Sequence, residues 1–164
     1  MVLIRDAVIQ DLPAMLDIYN YAIVNLNATF DLEEQTLDQR KAWFNKYGGS
    51  HPLIVAESAG EVAGYCSLSP FSPKEAYSKT AEVSIYISEE NQGKGIGRTL
   101  LTEILERAKQ LGFHSIIAII TSGNESSVKL HEKFGFTFIG RLQEVGYKFD
   151  QWQDVDYFQL LLNK

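Results

Sequence analysis

Only one cysteine, Cys66, stands in the 164 residues, so no intrachain disulfide can staple this chain. It lies in the apolar run Val62-Ala63-Gly64-Tyr65-Cys66-Ser67-Leu68, the setting of a small buried core residue rather than of a catalytic thiol. No apolar stretch is long enough to span a bilayer, and Ser115–Ile120 falls far short. The start, Met1-Val2-Leu3-Ile4-Arg5-Asp6, lacks the layout of a signal peptide, so a soluble cytoplasmic protein is the expectation. Basic blocks are missing too, and a net charge of −6 disfavours nucleic-acid binding. The three histidines, His51, His114 and His131, are scattered without ligand spacing, so no metal site is expected. Repeats, low-complexity tracts and linkers are absent. One domain over residues 1–164 follows, long enough to build a core.

What is present alternates strands with helices. Val2–Arg5 reads as a strand. Asp11-Leu12-Pro13 starts a helix with Asp11 as N-cap, whose apolar face runs Leu12, Met15, Leu16, Tyr19, Ala22, Ile23. A second helix spans about Leu37–Tyr47 and stops at Gly48-Gly49. Strands follow at Leu53–Glu57 and Val62–Leu68, then a loop Ser69–Lys79 and a strand Glu82–Ile87. A helix over Gly95–Gln110, a buried strand Ser115–Thr121 and a helix Asn124–Phe134 with Gly135 at its C′ position come next. The tail reads as three strands, Phe136–Leu142, Glu144–Phe149 and Asp154–Leu162. The pattern predicts an α/β (α+β) domain with a mixed, mostly antiparallel central sheet flanked by helices.

The richest segment is Gln92-Gly93-Lys94-Gly95-Ile96-Gly97-Arg98 between strand and helix. Its glycines leave backbone N–H groups uncovered where the helix N-terminus adds partial positive charge, a cradle for a pyrophosphate. Spacing excludes the two familiar nucleotide loops. A dinucleotide fingerprint from Gly93 meets Arg98 at its sixth position and from Gly95 meets Leu100; a P-loop ending at Gly93-Lys94 begins at Ser88. What remains is Gln92-x-x-Gly95-x-Gly97, with Lys94, Arg98, Lys129 and Lys133 as candidate cations for an acidic protein that binds a polyanion. Downstream, Asn124-x-x-Ser127-x-x-x-His131 puts Asn124 and His131 on one helix face, ahead of Phe134-Gly135-Phe136.

Together these motifs resemble the acetyl-CoA loop and following helix of the Gcn5-related N-acetyltransferase superfamily. Thr80–Ile87, His131 in place of the usual tyrosine, and Gly146-Tyr147-Lys148-x-x-x-Trp152-x-Asp154-Val155 are similar to its phosphinothricin N-acetyltransferase branch, which also acts on methionine sulfoximine and methionine sulfone. The resemblance runs from Ile4 to Leu162. It implies acetyl-CoA as co-substrate, held by Ile85, Tyr86, Ile87, Gln92, Gly93, Lys94, Gly95, Ile96, Gly97, Arg98, Asn124 and Ser127. It implies direct acetyl transfer to the amine of an amino acid or analogue, with Glu82 as general base. A homodimer is the implied assembly.

Amine acetylation requires that an ammonium lose a proton, an oxyanion be stabilised and a thiolate be protonated. Glu82, with an ordinary pKa of about 4.3, needs burial to raise it towards that task. His131 is the candidate donor to sulfur or a second base, and Tyr86 an alternative donor. Phe30, Phe71, Tyr77, Tyr147 and Trp152 are candidates for an acceptor pocket, and Asp154 could orient a neighbour. One departure bears on the acceptor. Where branch members that take these analogues commonly have Trp-Arg, this chain has Phe71-Ser72, with only Lys74 and Lys79 as nearby cations, and lysine is a looser carboxylate partner than arginine. Two other readings stay open: acetylation of a protein N-terminus or lysine, and a non-catalytic acetyl-CoA-binding module.

Overall fold

The computed structural model describes residues 1–163; Lys164, the last residue of the expected domain, lies outside them. The elements run β1 (Val2–Asp6), α1 (Leu12–Asn25), α2 (Leu37–Phe44), β2 (Leu53–Ser58), β3 (Glu61–Pro70) and β4 (Thr80–Ile87). They continue with α3 (Ile96–Gln110), β5 (Ser115–Thr121), α4 (Glu125–Lys133), β6 (Thr137–Lys148) and β7 (Gln151–Leu161). All strands share a seven-stranded sheet in the order β1-β2-β3-β4-β5-β7-β6. Only β4 and β5 pair in parallel; every other pair is antiparallel, so the expected mixed sheet is what forms.

Alternation along the strands divides the core in two. On one face α3 buries Ile96, Leu100, Leu101, Ile104, Leu105 and Ala108, the i, i+4, i+8 stripe of an amphipathic helix, against Ile54, Cys66, Leu68, Val83 and Ile116. Cys66 is fully enclosed there, and burial pushes its thiol pKa up, so it is the inert core residue that its surroundings imply. On the other face α1 packs Leu12, Met15 and Ile18 onto Leu53, Val55 and Tyr65. Arg40 of α2 is buried on this side, stacked 3.5 Å from the Trp43 ring centre and 4.1 Å from that of Tyr19, and donates to the Tyr65 hydroxyl at 2.8 Å.

Three sequence expectations are corrected. Asp11 stands at the N-cap of α1, but its carboxylate accepts from the Val8 N–H at 2.8 Å and from both terminal nitrogens of Arg5, so it caps the preceding turn instead. The α2 helix stops at Phe44, because Lys46 and Tyr47 donate to Trp43 and Phe44, three residues back, tightening the end into turns. Its start carries a reciprocal cap between Thr36 and Gln39. The tail forms two strands rather than three. Its first two merge into β6, which bulges against β7 between Leu142 and Gly146 around Glu144 at φ +51°.

Glycine sets how closely β3 approaches the site. Gly64 pairs with Ile87, and a Cβ there would lie 2.9 Å from the Tyr86 carbonyl oxygen. Gly64→Ala is expected to destabilise the fold by about 1–3 kcal/mol, the usual cost of overpacking. Urea unfolding measures this, and an unchanged midpoint would contradict the account.

Candidate active site

The site is built by a ladder that stops. Parallel pairing of β4 with β5 runs from Thr80↔Ser115 only as far as Val83↔Ala118, after which the two strands part. Ser88 donates its N–H across to Ala63 of β3, and alternation then sends the backbone groups of Tyr86 to β3 and those of Ile85 and Ile87 to the gap. Gln92 Nε2 takes the Ile87 carbonyl at 3.0 Å. The N–H and C=O of Ile85 and the N–H of Ile87 therefore face the opening without a strand partner. The Tyr86 backbone, by contrast, is committed to Tyr65.

Two connected hollows fill the split. A cleft of about 830 Å³ is lined by Ile85, Tyr86, Ile87, Gln92, Gly93, Gly95, Ile96, Gly97, Arg98, Asn124 and Ser127, eleven of the twelve positions expected to hold a cofactor. Lys94 is the exception and points to solvent; of the candidate cations, Arg98 and Lys133 line the cleft and Lys129 does not. Gly93 and Gly95 have φ of +73° and +81°, and a Cβ on either would meet nothing within 4 Å, so the loop is an open backbone cradle at the start of α3. Gly97 has a different task. A Cβ there would lie 3.0 Å from Leu130 Cδ2, so its hydrogen lets α3 and α4 close together behind the gap.

At the apex a second hollow, about 70 Å³, is bounded by Val83–Tyr86, Ala118–Thr121, Asn124, Ser127, His131 and Ala28. Asn124 accepts from the Ser127 N–H at 3.3 Å, capping α4 while its residue also faces both hollows. His131 is 2% exposed, edge-on to Phe136, with Nδ1 at 2.7 Å from the Ser127 carbonyl oxygen. A carbonyl only accepts, so Nδ1 carries the proton and Nε2 of the neutral ring is a bare acceptor. Burial lowers the His131 pKa and outweighs the opposing Ser127 contact, which keeps the ring neutral.

Glu82 borders neither hollow. It pairs with Ser69 and Ile117 just below the split, half-buried, on the same face as Ser84, which does line the apex. Burial raises its pKa, and none of the hydrogen bonds among the described residues reaches its carboxylate. Two residues along a strand is about 7 Å, the span of one water between Glu82 and a group at the apex. The Tyr86 ring packs against Tyr19 and Tyr65 with centroids 5.4 Å and 5.5 Å away, and burial drives its hydroxyl pKa well up, which counts against it as a proton donor.

The five aromatic candidates for an acceptor pocket are not gathered into one place. Phe71 and Tyr77 face each other across the β3–β4 loop at 5.7 Å, both exposed. Tyr147 pairs edge-on with Trp152 on the outward side of the hairpin. Phe30 lies on the opposite side of β6, against Gly146. Asp154 accepts from the Glu144 N–H at 2.7 Å, fixing the β6 bulge. Leu26, Asn27 and Ala28, between α1 and α2, wall the cleft without any motif that marks them in the sequence.

The profile of the acetyltransferase (GNAT) domain matches residues 4–156. The chain belongs to the GNAT acetyltransferase family. It is therefore an N-acetyltransferase, and its relatives bear out the branch resemblance. It is 41% identical over 162 residues to the L-methionine sulfoximine/L-methionine sulfone acetyltransferase of Pseudomonas paraeruginosa, covering 98% of this chain and 94% of that protein. A Sinorhizobium meliloti phosphinothricin acetyltransferase solved in complex with acetyl-CoA superposes with a TM-score of 0.95 at 36% identity, covering 98% of this chain and 88% of that one. A ribosomal-protein-alanine N-acetyltransferase from Brucella melitensis, 42% identical, also reaches 0.95, covering 98% and 99%. Among the described residues of this acetyltransferase, no three His, Cys, Asp or Glu side chains converge as metal ligands, and no helix is long and apolar enough to cross a membrane.

Proposed function

We propose that this acetyltransferase moves the acetyl group of acetyl-CoA onto the amine of a small amino acid or analogue, by direct transfer at the apex of the β4–β5 split. The observation that carries the reading is the ladder ending at Val83↔Ala118, which leaves Ile85 and Ile87 backbone groups facing an open cleft. Acetyl-CoA supplies an activated thioester carbonyl. Ile85 and Ile87 take the amides of its arm as an added strand would, and Gly93, Gly95 and Gly97, with Arg98 and Lys133 beside them, take the pyrophosphate. The Ile85 N–H is the free donor for the carbonyl oxygen.

Glu82 is the general base in this reading. Its raised pKa brings it closer to the acceptor ammonium, whose proton it takes through a bridging water. His131 acts as an acceptor at Nε2, a second base or a hydrogen-bond anchor. Donating a proton to sulfur would require the imidazolium, which burial disfavours, so the CoA thiolate departs as the amide forms and takes the second proton that the amine nitrogen sheds. A substrate carboxylate finds no arginine at Phe71-Ser72, so we assign its recognition to Lys74 or backbone groups, with Phe71 and Tyr77 of the β3–β4 loop bordering the acceptor's approach. Lys79, whose Nζ lies by Gly112 beyond the end of α3, and the outward-facing Tyr147 are set aside.

A reaction that draws on acetyl-CoA fits a single cytoplasmic domain over residues 1–164. We assign a homodimer from the sheet edge, where β6 exposes Phe138, Ile139, Leu142 and Val145 at 55%, 57%, 46% and 51%. Light scattering should give twice the chain mass; a monomer at micromolar concentration would refute this assembly.

Thiol release from acetyl-CoA, read against phosphinothricin, methionine sulfoximine, methionine sulfone, standard amino acids and a peptide beginning with alanine, tests the acceptor class. Turnover on the amino-acid analogues is expected; turnover on the peptide alone would move the enzyme to protein N-termini, as the Brucella neighbour's name suggests. Glu82→Gln should cut kcat by about 10²–10⁴-fold with acetyl-CoA affinity kept. In the parent, activity needs the carboxylate, so kcat/KM should fall on the acid side at a pH above the ordinary glutamate range. That limb should vanish in Glu82→Gln. An unchanged kcat in the variant would remove Glu82 from the mechanism.

A further inference from the structure

The segment between α1 and α2 walls the cleft with Leu26, Asn27 and Ala28, and Ala28 also borders the apex hollow, yet it contains no helix or strand. What fixes it comes from the far end of the chain. Lys148 of β6 is 4% exposed, and its Nζ donates to the carbonyl oxygens of Leu26 at 2.7 Å and Thr29 at 2.8 Å. None of the ion pairs among the described residues includes it. An ammonium out of water with no carboxylate within ion-pair distance is costly, so the two carbonyls hold it through charge-assisted hydrogen bonds. Burial lowers the Lys148 pKa, with the charge of Asp31 opposing, as that arrangement requires.

The surroundings repeat the theme. Gly146, two residues before Lys148 on the same buried face, leaves room for Phe30, whose Cε2 would lie 2.3 Å from a Cβ at that position. Gln153 donates to the Lys148 carbonyl at 3.1 Å and accepts from Asn27 Nδ2 at 3.4 Å. From β5, Thr121 Oγ1 donates to the Asn27 carbonyl at 2.6 Å. Ala28 therefore sits between tethers on both sides, at the junction of the two hollows.

We propose that Lys148 is a positioning residue for acetyl transfer: its buried ammonium clamps the Leu26 and Thr29 carbonyls and so sets the wall that Ala28 presents to the reacting groups. This rests on the reading of the apex as the place of transfer. An apolar side chain of similar volume would fill the space but would not hold two carbonyls in register.

The test uses Lys148→Gln, which loses the charge but keeps a donor, and Lys148→Arg as the conservative rescue. Hydrogen–deuterium exchange of amides 26–31 is read in the ligand-free protein, and kcat and KM for acetyl-CoA well below the unfolding temperature. In Lys148→Gln, exchange of these amides should quicken by about tenfold, with β2–β4 unchanged. Its kcat should fall by about tenfold or more, since a misplaced wall acts on the chemical step. Lys148→Arg should recover part of both. A lower unfolding temperature with loop exchange, kcat and KM within twofold of the parent would overturn the proposal, leaving Lys148 a structural residue. So would fast loop exchange with unchanged kinetics. Should Lys148→Gln not fold, Lys148→Met, which fills the same space without a donor, decides instead, and loop exchange and kcat in it within twofold of the parent overturn the clamp. Failure of the apex reading is a separate result, seen in the parent as an acetyl-CoA footprint away from Ala28.

Discussion

Past Val83 and Ala118 the two central strands no longer share hydrogen bonds, and backbone groups that a sheet would pair are left facing a gap. Buried amides must find partners, so a split of this kind is stable only where something fills it or water reaches it. Gln92 supplies one partner from the protein, at the Ile87 carbonyl. Around the remaining groups the chain arranges an open glycine loop, the capped start of α4 and the bare acceptor nitrogen of His131. Gly97 keeps the two helices behind the gap close enough for this, because a side chain there would strike Leu130. The cleft is thus a property of strand pairing first and of side chains second.

Burial then tunes two titratable groups, His131 at the apex and Glu82 just below the split. It raises Glu82 and lowers His131, and in each case the neutral form gains. A carboxylate made more basic and an imidazole kept uncharged are both suited to taking a proton from an ammonium. The same desolvation acts on Lys148, where it turns an ammonium into a grip on backbone carbonyls.

The glycine loop, β5 and the Asn124 cap were legible in the sequence because each follows from local chemistry: left-handed glycines, a β-branched run and an Asx cap. The fold class was legible for the same reason. Position alone suggests Asp11 as the α1 cap; Arg5, from β1, takes its carboxylate. The tail was divided into three strands because the bulge at Glu144 breaks the alternation, although β7 pairs across it. Which β4 backbone groups face the gap is set by the β3 register, which no local motif records. Most distant from the sequence was the wall at Leu26–Ala28, which owes its place to Lys148 and Thr121, more than ninety residues away. The aromatic residues of the expected acceptor pocket do not converge, because the hairpin alternation sends Tyr147 and Phe30 to opposite sides.

The most direct test of the split as the acetyl-CoA site is residue-resolved amide exchange with and without acetyl-CoA. The account predicts that Ile85, Ile87, Gly93, Gly95 and Gly97 amides become protected on binding while Tyr86, already paired to β3, does not change. Protection confined to other elements, or equal protection of Tyr86, Ile85 and Ile87, would contradict it.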